Sequence, residues 1–314
     1  MTAFHPELER LARFLPRFSF GPRVVWLIRR LTFAMRPPPL PHGVTVEALE
    51  VPGPEGAPPI QVRVYRPSAL KAPAPAMLWI HGGGFVIGHP LQDEATSAGT
   101  ALALGIVVVA VRYRLAPEHP FPAPLEDCYA ALRWLHSNAA SLGVRPDRIA
   151  LGGASAGGGL AAGLALVARD RGEVKPAFQL LVYPMIDDRT ATRSDIDERH
   201  VRVWTADSNR YGWRSYLGQD PGGRDAPIYA APARAADLTG LAPAWIGVGT
   251  VDLFHDEDVA YAARLNAQGI SCELVTVPGA YHGFDALSPK TGVARGFLES
   301  QRAALQRALF PEKV

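Results

Sequence analysis

Residues 148–168 read Arg-Ile-Ala-Leu-Gly-Gly-Ala-Ser-Ala-Gly-Gly-Gly-Leu-Ala-Ala-Gly-Leu-Ala-Leu-Val-Ala. A short apolar run meets a serine among small residues, and a stretch of helical character follows. The Gly153-x-Ser155-x-Gly157 spacing is that of a strand-to-helix turn so tight that bulky neighbours would clash. Such a turn pushes the Ser155 hydroxyl out above a sheet. The helix that begins beneath it aims unpaired N–H groups at any negative charge formed there. Small-residue turns also arise for packing alone, so the segment has to be read with the rest of the chain.

Upstream, residues 76–88 read Ala-Met-Leu-Trp-Ile-His-Gly-Gly-Gly-Phe-Val-Ile-Gly, another apolar run that ends in glycines. Three consecutive glycines leave the backbone bare, so amide N–H groups can approach a substrate oxygen, as an oxyanion hole requires. A merely flexible loop is the alternative, and it loses force once a Gly-x-Ser-x-Gly turn follows a later strand. From residue 44 onward strand and helix patterns alternate. Val44–Leu49 and Gln61–Tyr65 read as an early hairpin. Met77–Ile80, Ile106–Val111, Ile149–Leu151, Phe178–Val182, Trp245–Val248 and Cys272–Val277 read as core strands. Helices fall between them, as at Glu126–Ser137, Ala156–Arg169 and Glu257–Gln268. That alternation predicts a mostly parallel sheet with helices on both faces.

Four motifs in this order carry a resemblance: His81-Gly82-Gly83-Gly84, Tyr113-Arg114-Leu115-Ala116-Pro117-Glu118, the Ser155 turn, and Tyr281-His282-Gly283-Phe284. From about residue 40 to its end the chain resembles the bacterial esterases of the hormone-sensitive-lipase branch of the α/β-hydrolases. The resemblance implies an α/β-hydrolase fold with a helical cap, and a carboxylesterase activity. It also implies that the N–H groups of Gly83 and Gly84 join that of Ala156 in the oxyanion hole. Two positions depart from the branch: Ala154 and Arg112 stand where aspartates are usual. Neither is a triad or oxyanion position.

A serine hydroxyl needs a base, and the base an orienting acid. Of nine histidines, His282 lies on the short loop after the last strand, where strand-end loops converge. His81 belongs to the glycine loop and reads as structural, and His255 has a weaker claim. Asp252 follows the Trp245 strand and is the expected acid, while Asp187 and Asp188, after an earlier strand, are the alternative. Asp256, Glu257 and Asp258 fit a helix N-terminus. The order Ser155, Asp252, His282 is that of α/β-hydrolases.

Before the sheet, residues 1–40 are read as an N-terminal helical cap segment. Phe4, Leu8, Leu11, Leu15 and Phe18 recur at helical spacing, and Leu27, Ile28 and Leu31 continue a second helix. This stripe packs on the domain, shields the pocket, or adsorbs to lipid. Residues 41–314 form the catalytic domain. Within it, 185–225 lack a strand pattern and are expected to complete the cap.

Other classes are disfavoured. With 32 basic and 30 acidic residues the net charge is +2, too near balance to argue for nucleic acid. Cys128 and Cys272 read as buried thiols in a reducing compartment. The start of the chain lacks a signal-peptide core, so a cytoplasmic location without membrane insertion is expected. Gly157-x-Gly159-x-x-Ala162 lies inside the helix, past the point where a pyrophosphate would sit, and is not a dinucleotide site. No Cys/His cluster has zinc spacing. The expectation is a cofactor-free and metal-free serine carboxylesterase acting on short- to medium-chain esters, with self-association into a homodimer left open. Amides, lactones or carbamates are alternative substrates. A ligand-binding protein on a hydrolase scaffold, such as the plant gibberellin receptor that lacks the catalytic histidine, is the alternative class.

Overall fold

The computed structural model describes residues 3–311, apart from residues 16, 18, 34 and 35. Eight strands form one sheet: β1 (Val44–Val51), β2 (Ile60–Pro67), β3 (Ala74–Ile80), β4 (Val107–Arg112), β5 (Val144–Ala154), β6 (Phe178–Val182), β7 (Ala244–Gly249) and β8 (Cys272–Val277). Their order is β1-β2-β4-β3-β5-β6-β7-β8. β1 and β2 pair as the expected antiparallel hairpin, and β2 is also antiparallel to β4. Every pairing from β4 to β8 is parallel.

The helices are α1 (Pro6–Phe14), α2 (Pro22–Phe33), α3 (Glu94–Leu104), α4 (Ala123–Ser137), α5 (Ala139–Leu142), α6 (Ala156–Arg171), α7 (Ala206–Leu217), α8 (His255–Ala267), α9 (Phe284–Leu287) and α10 (Gly292–Leu309). Strand residues alternate between two buried faces, as a parallel sheet covered on both sides requires. Leu78, Ile80, Val109 and Leu151 pack with residues of α4, α6 and α8. Met77, Trp79, Val108 and Ala150 pack with residues of α1, α3 and α10. Parallel register sets Ile80 opposite Gly153, and Ala154 opposite Val182, so the exits of β3, β5 and β6 lie side by side.

The first helices differ from their expected faces. On α1 the buried positions are Leu8 and Ala12, with Phe4 just before the helix; Leu11 is exposed and Phe18 lies outside the described residues. Ala12 takes an inward position, and its carbonyl accepts from Arg202 Nε at 2.8 Å. On α2, Val25 is buried while Leu27 and Leu31 face solvent. There Arg29 turns inward instead and donates to the Val86 carbonyl at 2.7 Å and to Glu118 at 2.7 and 2.8 Å. The connection between the two helices is tied to the segment 185–225, through Arg17 to the Glu198 carbonyl and the Phe20 N–H to Ser208 Oγ.

Candidate active site

Ser155 stands between β5 and α6 with φ 57° and ψ −123°, a conformation L side chains seldom adopt. The glycines on either side make the turn feasible. A β-carbon at Gly153 would strike the Gly157 carbonyl, and one at Gly157 would strike the carbonyls of Ile80 and His81. Neighbouring backbone fixes the serine itself: its N–H donates to the Val182 carbonyl at 2.9 Å, and its carbonyl accepts from Met185 N–H at 3.0 Å.

Asp252 leaves the end of β7, and His282 lies on the loop after β8. The two loops are tied together: Thr250 N–H donates to the Val277 carbonyl, Val251 N–H to the Ala280 carbonyl, and Gly279 N–H to Thr250 Oγ1. As a result His282 Nδ1 lies 2.8 Å from Asp252 Oδ2, and His282 Nε2 lies 2.9 Å from Ser155 Oγ. A carboxylate only accepts, so Nδ1 carries the proton and Nε2 is free to accept from the hydroxyl. The Phe254 N–H occupies Asp252 Oδ1 at 3.0 Å, which fixes the carboxylate plane. Tyr183 and Phe254 hold the imidazole between them, with ring centroids 4.7 and 5.1 Å away in edge contacts. All three residues, Ser155, Asp252 and His282, are buried.

The other candidates are occupied elsewhere. Asp187 pairs with Arg189, and Asp188 with Arg234 and the Gly222 N–H. His255 pairs with the neighbouring Asp256. Glu257 does not serve its own helix end, because Oε1 accepts from the N–H groups of Ile186 and Asp187 and braces α8 against the exit of β6. Asp258 is fully buried, and burial pushes its carboxyl well above the usual range. His81 is buried, stacked on Tyr113 with centroids 4.3 Å apart, and its pKa is pushed down to about 3 by burial. It is a neutral structural residue, with its own carbonyl taken by Tyr113 Oη at 2.9 Å.

The glycine loop passes beside the serine. A β-carbon at Gly82 would come 3.2 Å from Ser155 Cβ. Gly83 and Gly84 have φ of +124° and +58°, and a β-carbon at Gly84 would overlap the Trp204 indole. Among the described residues, no protein acceptor takes the N–H of Gly83 or Gly84, and Ala156 is the first residue of α6, whose N–H is unpaired within the helix.

Sequence reading missed a half-buried acidic pair behind His282. Tyr183 Oη donates to Asp285 Oδ1 at 2.9 Å, and Trp79 Nε1 donates to Asp93 Oδ2 at 2.8 Å. Burial raises Asp93 to about 7, with the charge of nearby Asp285 adding to it, and burial likewise raises Asp285. These residues lie far apart in sequence; only Asp285, three past His282, carries a local signal. No group of His, Cys, Asp and Glu among the described residues could hold a metal ion.

Comparison with known proteins agrees with this architecture. A family model described as alpha/beta hydrolase fold matches residues 77–286. The chain is similar to carboxylesterase NlhH of Mycobacterium tuberculosis, with 37% identity over 282 residues, or 89% of this chain and 88% of that protein. The solved structure titled bacterial heroin esterase superposes with a TM-score of 0.91 at 40% identity, covering 98% of both chains. Esterase LipW from Mycobacterium marinum superposes with a TM-score of 0.86 at 36% identity, covering 98% of this chain and 97% of that one. The chain belongs to the α/β-hydrolases, in the bacterial esterase group of the hormone-sensitive-lipase family. No helix among the described residues is long and apolar enough to cross a membrane.

Proposed function

We propose that this chain, a carboxylic ester hydrolase by family, cleaves short- and medium-chain esters through an acyl-enzyme formed on Ser155. The observation that carries the reading is the unbroken line from Asp252 through His282 to Ser155 Oγ, at 2.8 and 2.9 Å. His282 Nε2 takes the hydroxyl proton as Oγ attacks the ester carbonyl, and Asp252 stabilises the imidazolium that forms. The carbonyl oxygen becomes an oxyanion, met by the N–H groups of Gly83, Gly84 and Ala156 and by the N-terminus of α6. The tetrahedral intermediate collapses, and His282 returns the proton to the departing alcohol. Water, deprotonated in turn by His282, attacks the acyl carbon, and a second collapse frees the acid and restores Ser155.

Residues 1–40 and 185–225 act as a cap over this site. Their mutual packing and the seat of the Trp204 indole on Gly84 support that role. So close a cover favours short and medium acyl chains over long ones. Hydrolysis of a p-nitrophenyl ester series from acetate to palmitate tests the reading. Turnover highest on short and medium members and lost in Ser155→Ala is the expected result. A flat profile or a palmitate optimum overturns the chain-length assignment.

A further inference from the structure

Two helix faces remain turned to solvent. On α2 the exposed positions include Arg23, Trp26, Leu27, Arg30 and Leu31, spaced three and four apart and therefore on one face. Trp26, Leu27 and Leu31 are 58%, 52% and 63% exposed. The Arg30 guanidinium lies over the Trp26 ring, 4.7 Å from its centroid. α1 repeats this composition: Arg10, Leu11, Arg13 and Phe14 are exposed, Phe14 at 80%. Neither helix can roll these side chains inward. Leu8 and Ala12 already anchor the inner face of α1, and Val25 and the Arg29 contacts hold that of α2.

Charge indicates what covers these faces. Residues 1–40 hold seven arginines and two glutamates, net +5, while the whole chain is +2, so the remainder is −3. Arg13 is answered by Glu9 and Arg29 by Glu118. Arg10, Arg23 and Arg30 meet no carboxylate among the described residues. Tryptophan, leucine and phenylalanine set among guanidinium groups suit a helix lying in the headgroup layer of a bilayer. There the rings and aliphatic chains enter the acyl boundary, and the cations meet lipid phosphates. A second copy would bring the same cationic patch against itself, which like-charge repulsion opposes.

We propose that the outer faces of α1 and α2 form a docking surface for an anionic lipid bilayer. Docked this way, the site beneath the two helices is presented to esters dissolved in lipid. α1 reaches the His282 loop through His5 N–H to the Gly279 carbonyl at 2.9 Å, and α2 is continuous with Phe20, whose ring packs on Trp204. The docking itself stands on exposure and charge; only the delivery of esters rests on the hydrolase reading.

Co-sedimentation of the full chain with vesicles tests this. Binding is expected to vesicles of phosphatidylcholine mixed with phosphatidylglycerol, and to be much weaker on phosphatidylcholine alone. Arg23→Gln and Arg30→Gln should each weaken it ~5-fold. The triple change Trp26→Ser, Leu27→Ser, Leu31→Ser should abolish it while the far-ultraviolet circular dichroism spectrum stays that of the parent chain. Trp26 is the exposed tryptophan; Trp134 is half-buried, and Trp79, Trp204, Trp213 and Trp245 are buried. Binding should therefore shift tryptophan emission to the blue, and Trp26→Leu should remove the shift. Failure to bind the mixed vesicles, or undiminished binding by the triple variant, overturns the proposal. So does a dimer in solution that the triple variant dissolves, which would make a second copy the occupant. Vesicle binding is read without turnover, so loss of the hydrolase reading would leave this result standing, and the reverse.

Discussion

The turn after β5 and the loop after β3 both replace side chains with glycine, but against different neighbours. In the turn, Gly153 and Gly157 make room for backbone pressed against backbone within the sheet and α6. In the loop, Gly83 and Gly84 take left-handed φ values, and Gly84 lies against an indole from the segment 185–225. The end of the sheet therefore positions Ser155, through the Val182 carbonyl and, just beyond β6, the Met185 N–H. The outer layer positions the candidate oxyanion donors, through Trp204 and through Arg29 on the Val86 carbonyl. Disturbing the cap should spare the first and shift the second.

The largest effects belong to the sheet-held side. Ser155→Ala or His282→Ala should lower kcat by about 10⁶ with the melting temperature nearly unchanged, and the double variant should be little worse than either. Steady-state kinetics on one p-nitrophenyl ester decide this, and near-normal turnover in either single variant breaks the assignment. Asp252→Asn should cost about 10⁴, because the wrong tautomer of His282 is then favoured. If Asp187→Asn or Asp188→Asn proves more damaging, the acid is misassigned.

The loop side should respond less, and through its cover. Gly84→Ala should lower kcat by about 10²–10³, the usual cost of one oxyanion donor. Adding Trp204→Ala should restore part of that loss if the indole is what the new methyl strikes. Gly88 lies beyond the loop in sequence and suggests itself as a neutral control, but it is not one. Its φ is +117°, and a β-carbon there would collide with the Gly82 carbonyl and the His81 ring. Gly296 on α10 has open space around it and serves instead. No further recovery in the double variant, or an equal loss in Gly296→Ala, would separate the loop from the cap.

Smaller still, Arg29→Gln should destabilise the fold by about 1.5–3 kcal/mol, the value of charge-assisted hydrogen bonds. It should also reduce kcat several-fold as Val86 is released. Calorimetry with kinetics checks both, and lost stability with kcat unchanged would show that α2 does not steer the loop.

The last effect is read in the pH dependence of stability. Asp93 has its folded pKa raised by burial to about 7, above the ~3.9 of an unfolded chain. The folded form thus holds the proton more tightly, and stability is lost as pH rises from ~4 toward ~7. Asp93→Asn should flatten that decline in a series of melting curves. An unchanged slope would show that Asp93 ionises freely in the fold.

The sheet was legible because its central strands are short apolar runs, such as Val107–Val111. Ser155 directly follows β5, and Asp252 and His282 lie on the loops that leave β7 and β8, so strand-end position singled them out. The faces of the first helices were not legible. Leu11 and Leu31 look more like core than Ala12 or Arg29, yet Ala12 is the residue buried where Arg202 meets α1. Arg29 is drawn inward by carbonyls that only the tertiary fold brings near. Gly88 gave no sign that it folds back beneath Gly82, and Asp93 gave none that Asp285 lies beside it. Each of these depends on chain segments meeting from a distance. α1 supports the Gly279–His282 loop, so its removal should disturb the base as well as chain-length preference.

The central claim is that Ser155 becomes acylated. Its most direct test is incubation with a p-nitrophenyl alkylphosphonate, followed by mass spectrometry of the intact protein and of its peptides. One phosphonyl group per chain on the peptide bearing Ser155, with hydrolysis lost in step and Ser155→Ala unlabelled, is the predicted result. A chain that still hydrolyses esters without the adduct, or carries the adduct on another residue, would contradict it.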